Sequence, residues 1–217
     1  MNKLTIIVTY YNAEEYITGC LESIKQQRTQ DFNLIIVNDG STDQSKKLMD
    51  EAIKDYDKNI RFIDLDKNSG HAHARNIALE EVETPYFMFL DADDELASYA
   101  ITFYLEKFNN TDGLIAPIHS FTTQRPQFVD LDRVRVEYFN AKGNINSFLR
   151  KQSACNIIFR TAIVRAHHIR FNENLNTYVD WSFVLEYMKY VNKFVRIFNF
   201  PFYFRGEVYD PFETLTL

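Results

Sequence analysis

The feature that most narrows the fold is an alternation of hydrophobic period across residues 4–90. Leu4 to Thr9 is a short β-branched apolar run, the mark of a strand buried on both faces. Glu14 to Arg28 then places Tyr16, Ile17, Cys20, Leu21 and Ile24 at helical spacing. Leu34 to Val37 is a second buried strand. Ser41 with Gln44 three residues on reads as a capping box opening a helix that carries Leu48, Met49, Ala52 and Ile53. Ile60 to Leu65 is a third strand, His71 to Val82 a third helix, and Tyr86 to Leu90 a fourth strand after Pro85. Such a series predicts an α/β fold: a mostly parallel sheet with helices on both faces.

The rest is less regular. Gly113 to Ile118 and Ala154 to Phe159 are strand candidates, Gln124 to Glu137 a loop or edge hairpin, and Asp180 to Val191 a helix with Trp181, Val184, Leu185 and Met188 on one face. A length of 217 residues fits one domain, with residues 1–95 as its first half and 96–217 as its second. The apolar ending Leu215-Thr216-Leu217 reads as a cut through a longer protein.

The charge of −6 lacks the global field of a nucleic-acid binder, so no nucleic-acid partner is expected. Two cysteines, Cys20 and Cys155, supply neither a disulfide framework nor a four-ligand zinc site. The apolar run after Met1-Asn2-Lys3 is too short for a signal peptide or a membrane span, which places the chain in the cytoplasm.

In an open parallel sheet, ligands bind beyond the carboxyl ends of the strands. Thr9 to Asn12, Asn38 to Asp43 and Asp91 to Glu95 fall there. Gly40 and Gly70 lie in loops of the same half, where glycine permits positive φ or close approach to a ligand. The sharpest signal is acidic. Asp91, Asp93, Asp94 and Glu95 follow an apolar strand with no Lys or Arg between Tyr86 and Glu95. Carboxylates this close repel unless a cation intervenes, and the i, i+2 pair suits Mg²⁺ or Mn²⁺ completed by diphosphate oxygens. The plainer alternative is a solvated helix start. Arg75, one turn into the third helix, would fork a phosphate or be an ordinary surface charge. His71 and His73 flank the same helix start but lack a third metal partner.

Four ordered stretches carry a resemblance: Ile6 to Tyr16, Val37 to Asp43, Asn68-Ser69-Gly70 with Ala74-Arg75-Asn76, and Asp91-Ala92-Asp93-Asp94. The chain resembles glycosyltransferase family 2, of the Rossmann-like GT-A fold, with 1–95 as the nucleotide-sugar half and 96–217 as the acceptor side. The resemblance implies a metal-dependent, inverting transfer of sugar from a UDP-sugar. Thr9, Tyr11, Asn12 and Glu14 would line the uridine pocket, and Asp39 would read the uracil edge. Asn68 and Arg75 would hold the base or diphosphate region. Asp91, with Ala92, would approach the ribose or metal shell, and Asp93 would ligate Mn²⁺ or Mg²⁺. Asp180, in Tyr178-Val179-Asp180-Trp181, would be the base that activates an acceptor hydroxyl, with Val179 where the family usually has Glu. The family's proline before the first Tyr is likewise replaced, by Thr9-Tyr10. Arg205, after Phe202-Tyr203-Phe204, resembles a late segment that closes over the diphosphate.

By analogy with relatives, the acceptor would be a glycan, polyol-phosphate or lipid-linked precursor of a bacterial surface polymer such as teichoic acid or capsule. The aromatic surplus of 19 Phe and 13 Tyr has three destinations. These are stacking on sugars, packing beneath a missing C-terminal element, and peripheral docking at the inner face of the membrane; a homo-oligomer is a separate expected partnership. Packing is favoured, because Arg196, Asn199 and Pro201 break any amphipathic stripe. Other readings are a nucleotidyltransferase and a non-catalytic scaffold domain of a polymer synthase. A phosphatase lacks its Asp-x-Thr arrangement, and a dehydrogenase lacks glycines between Thr9 and Glu14.

Overall fold

The computed structural model describes residues 2–56, 58–108, 110–120, 133–140, 153–198 and 202–205. The expected loop over 124–132 and the ending at Leu215–Leu217 lie outside them. The first half follows the alternation: β1 (Leu4–Tyr10), α1 (Ile17–Lys25), β2 (Phe32–Asn38), α2 (Ser45–Ile53), β3 (Ile60–Asp64), α3 (His71–Glu80) and β4 (Tyr86–Asp91). After them come β5 (Glu95–Leu96), α4 (Ala100–Lys107), β6 (Gly113–Ile115), β7 (Ile118–Ser120) and β8 (Val136–Asn140). A 3₁₀ turn at Ala154–Asn156 leads into β9 (Ile157–Arg160), α5 (Thr161–Ala166), α6 (Val179–Met188), β10 (Lys193–Ile197) and β11 (Tyr203–Arg205).

Eight strands form one sheet in the order β3-β2-β1-β4-β9-β6-β10-β8. Strands β1 to β4 pair in parallel, β9 runs antiparallel between β4 and β6, and β8 is antiparallel to β10. A second sheet joins β5, β11 and β7. Leu4, Ile6, Ile7 and Val8 have no exposed surface, because β1 is central and covered on both faces. Register sets Tyr10 beside Asn38 and Asn38 beside Asp64, while Thr9 lies beside Asp91. The polar ends of four strands therefore share one rim. After β1 the chain steps outward to β2 and β3, then returns to β4 on the other flank, which makes β1/β4 the switch point.

Many of the described aromatic residues pack inward, while Phe62, Tyr138 and Tyr178 are among those left exposed. Phe87, Phe89, Phe159, Phe171 and Phe183 interlock on one face, with the Phe171 and Phe183 rings stacked at 4.1 Å. Phe202 inserts among Tyr99, Phe103 and Tyr104 of the α4 region, so its cover comes from this chain.

Two local expectations give way. Helix α2 begins at Ser45, and Ser41 does not cap it. Ser41 accepts instead from the Asn12 backbone N–H at 3.1 Å, while Asp43 accepts from Ser45 N–H at 3.0 Å. Competing side-chain–backbone bonds hold 39–44 as a loop. The helix begins one residue early from a left-handed Tyr178 (φ 58°), and the buried side of α6 is Val179, Phe183, Val184, Tyr187 and Met188, with Trp181 and Leu185 only half-buried.

Candidate active site

At the switch point lies a cavity of about 490 Å³, reached by Thr9 to Ala13 and Tyr16 from the β1–α1 segment, His71 and Arg75 from α3, Asp91 to Asp93 after β4, and Asp180 from α6. Of the residues singled out from sequence, Thr9, Tyr11, Asn12, Arg75, Asp91, Ala92, Asp93 and Asp180 line it. Glu14, Asp39, Asn68 and Arg205 do not.

The exceptions have physical reasons. Asp39 is 3% exposed, and its two oxygens accept from the Ser69 and Gly70 backbone N–H groups at 2.8 and 2.9 Å. It fastens the β3–α3 loop. Glu14 accepts from the Gln44 N–H at 2.9 Å, and Asn68 accepts from Gly70 N–H at 2.9 Å. Gly40 (φ 66°) has a loop partner too: a Cβ there would stand 2.4 Å from the Lys67 carbonyl carbon. Its close approach is to this chain's own backbone. Asn12, with φ 47°, ties the rim by accepting from Thr42 N–H at 2.9 Å.

Arg75 is not a surface charge, and its fork is turned onto two carboxylates of the cavity wall. It is 4% exposed, its guanidinium lying 5.3 Å from the Phe89 ring and 5.2 Å from Phe171. One end donates to Asp91 at 2.7 Å and the other to Asp180. Burial opposes its charge, but Asp180 and Asp91 hold it well above the usual arginine range. Asp180 also accepts from Ser153 Oγ at 3.2 Å and Ala154 N–H at 3.0 Å. Burial would raise its carboxyl; Arg75 and these donors outweigh that and hold it below the usual range. Val179 is 4% exposed, so the position where Glu is usual belongs to the core.

Sequence reading missed Cys155. Its thiol, kept protonated first by burial and then by Asp91, donates to Asp91 Oδ2 at 3.1 Å. It missed Tyr203 as well, whose hydroxyl donates to Asp94 and accepts from the Asp91 N–H at 3.3 Å. A cysteine inside the apolar run Ala154–Phe159 gave no signal of a polar neighbour, since a buried thiol is usually packing. His71, on the cavity wall, is held below the usual histidine range by burial and by Arg75.

Oxygen atoms of Asp91, Asp93 and Asp94 lie within 4.8 Å of one another. Asp94 is 1% exposed and bonded to Tyr203, which leaves Asp91 and Asp93 facing the cavity. The Asp93 carboxyl is pushed up by burial and then by the charge of Asp91. A hard divalent cation would reverse that shift, so this all-oxygen set fits Mg²⁺ or Mn²⁺.

Comparison with known proteins places the geometry in context. The chain is 99% identical over all 217 residues to a teichoic acid poly(glycerol phosphate) polymerase of Staphylococcus epidermidis, and it spans 30% of that relative's length. It is 28% identical over 201 residues to the Staphylococcus aureus poly(ribitol-phosphate) beta-N-acetylglucosaminyltransferase TarS, covering 86% of this chain and 32% of TarS. The crystal structure of S. aureus TarS in complex with UDP superposes with a TM-score of 0.78 at 25% identity, over 94% of this chain and 60% of that one. Among the described residues no helix is long and apolar enough to cross a membrane. The family model for glycosyl transferase family 2 matches residues 5–170, and with the GT-A sheet and the acidic turn at its rim, the chain belongs to that family.

Proposed function

We propose that this domain transfers a sugar from a UDP-sugar to a hydroxyl of a polyol-phosphate acceptor, with inversion, as the glycosyltransferase part of a larger teichoic acid enzyme working in the cytoplasm. One observation carries the reading: Asp91 and Asp93 on one wall of the cavity and Asp180 on the other are joined through a single buried arginine. The likeness to a UDP-bound TarS supports the donor. The names of the polymerase and of TarS, both concerned with polyol phosphates, support the acceptor.

In this reading Thr9, Tyr11 and Asn12 face the nucleoside, while Asp39, Asn68 and Glu14 fix the loops beneath it. Asp91 and Asp93 would hold Mg²⁺ or Mn²⁺, which when bound neutralises charge on the departing diphosphate. Arg205, whose charge acts on Asp93, would add positive potential at the same turn. Asp180 takes the proton from the acceptor hydroxyl as its oxygen attacks the anomeric carbon in line with the leaving diphosphate. Arg75 keeps that carboxylate ionised and aimed.

A second reading, a non-catalytic domain that binds nucleotide for a polymerase, is favoured by the number of donors already on Asp180. Two measurements separate them. A thermal-shift screen of nucleotide sugars with and without Mn²⁺ should show a metal-dependent response to UDP and to one UDP-sugar. Asp180→Asn should then keep UDP binding and lose transfer by about 10²–10⁴-fold. Turnover equal to the parent's would remove Asp180 from the mechanism.

A further inference from the structure

Strand β3 lies at one border of the large sheet, and among the described residues β2 is its one neighbour there. The Asn59 carbonyl accepts from Leu34 N–H at 3.0 Å, and Leu65 N–H donates to the Asn38 carbonyl at 2.9 Å. In a parallel ladder alternate residues face one neighbour, so 59, 61, 63 and 65 are the residues turned towards β2. Ile60, Phe62 and Asp64 therefore aim their backbone N–H and C=O groups away from the sheet. Ile60 and Ile63 pack against the core, whereas Phe62, at the middle of the strand, is 44% exposed.

An open strand of this kind is usually blunted with charge, lysine above all, which keeps copies of a protein apart. Here the two signs stand in separate blocks. Lys58 and Arg61 come first along the chain, Asp64 and Asp66 after them. Arg61 is answered by Glu81 at 3.3 Å, and Asp64 by Lys46. Lys58 and Asp66 are exposed and have no ion pair among the described residues.

That order is self-complementary under a two-fold axis. An antiparallel pairing centred on Phe62 sets Phe62 against Phe62, Ile60 against Asp64 and Lys58 against Asp66. Facing residues of a hydrogen-bonded pair exchange both bonds, so the outward groups of Ile60, Phe62 and Asp64 are all satisfied in this register. A slip of two residues loses both the central aromatic pair and the match of Lys58 with Asp66. A slip of one brings groups already bonded to β2 to the junction.

We propose that β3 is the contact surface of a homodimer, in which a second copy of this chain adds its own β3 antiparallel about an axis through Phe62. The proposal goes beyond the transferase reading and does not depend on it. Antiparallel pairing turns the rims of the two sheets in opposite directions, and β2 stands between each β1/β4 cavity and the junction.

Sedimentation velocity of the full chain from about 1 to about 100 µM tests it. The parent should move towards twice its monomer mass as concentration rises. Phe62→Asp sets two carboxylates face to face on the axis and should stay monomeric throughout. Lys58→Glu and Asp66→Lys each place like charges together at two symmetric points, and each should raise the dissociation constant roughly three- to tenfold. The double variant restores opposite signs and should return to within about twofold of the parent, a rescue that no purely local effect of either residue would give. A parent still monomeric at about 100 µM would overturn the proposal and leave this border to a strand from outside the chain. Single reversals without effect, a double reversal that fails to rescue, or a Phe62→Asp protein that still dimerises would overturn β3 as the surface. Should Phe62→Asp melt early, the exposed charge pair alone decides.

Discussion

Replacing Arg75 by methionine removes the one cation among the described residues that both Asp91 and Asp180 contact directly. The methionine keeps much of the apolar stem between Phe89 and Phe171, so the change isolates charge from packing. Breaking a buried ion pair by deleting one partner costs about 3–5 kcal/mol, because the survivor stays buried and uncompensated. Two ring contacts at just over 5 Å add roughly 0.5–1 kcal/mol each, part of which the thioether restores. A net loss of about 4 kcal/mol corresponds to a melting temperature lower by roughly 10 °C for a chain of this size. The pH dependence has a definite sign. In the parent the Asp180 carboxyl is held low, so its stabilisation is full above the ordinary carboxylate range near 4 and fades as pH falls. In the variant only burial remains, which raises the carboxyl and penalises the folded state increasingly as pH rises. The gap between the two melting curves should be widest near pH 7 and narrow towards pH 4. Scanning calorimetry of both proteins across that range measures it. A methionine variant melting within 2 °C of the parent at neutral pH, or a gap that widens on acidification, would refute the account of Arg75 as the clamp of this site.

Asp93→Asn should melt no earlier than the parent near neutral pH, since it relieves a carboxylate whose ionisation burial and Asp91 already oppose, yet it should abolish the Mn²⁺-dependent part of the UDP thermal shift. Gly40→Ala combines a φ of 66° with a Cβ 2.4 Å from the Lys67 carbonyl carbon, so chemical denaturation should show a loss of about 2–4 kcal/mol. Tyr203→Phe withdraws a buried donor from Asp94 and should cost about 1–3 kcal/mol by the same assay, with little change in UDP affinity.

The parallel half was legible because β1, β2 and β4 are buried along nearly their whole length while α1 buries one face, so period alone separates Leu4–Tyr10 from Ile17–Lys25. Which oxygen goes to which donor was not legible. Asp39 and Glu14 look like ligand residues in sequence, but their carboxylates are the nearest acceptors for backbone N–H groups that two crossing loops must satisfy. The mutual burial of Arg75 and Asp180, 105 residues apart, is a tertiary fact with no local trace. The same holds for β9, a four-residue strand whose antiparallel course depends on the partners it meets, and for the turn before it, where Cys155 reads as one more apolar residue.

That strand also bears on how the chain could be divided. Ile158, Phe159 and Arg160 run alongside Met88, Phe87 and Tyr86, so the flank of β4 is closed by a segment some seventy positions later in the chain. A protein truncated after Glu95 would retain every acidic residue of the rim, yet it would present the open side of a greasy, flat strand to solvent. Such a border recruits whatever extended chain it meets next, including another copy of itself. The first four strands are therefore not a detachable module: their solubility is on loan from the segment that follows.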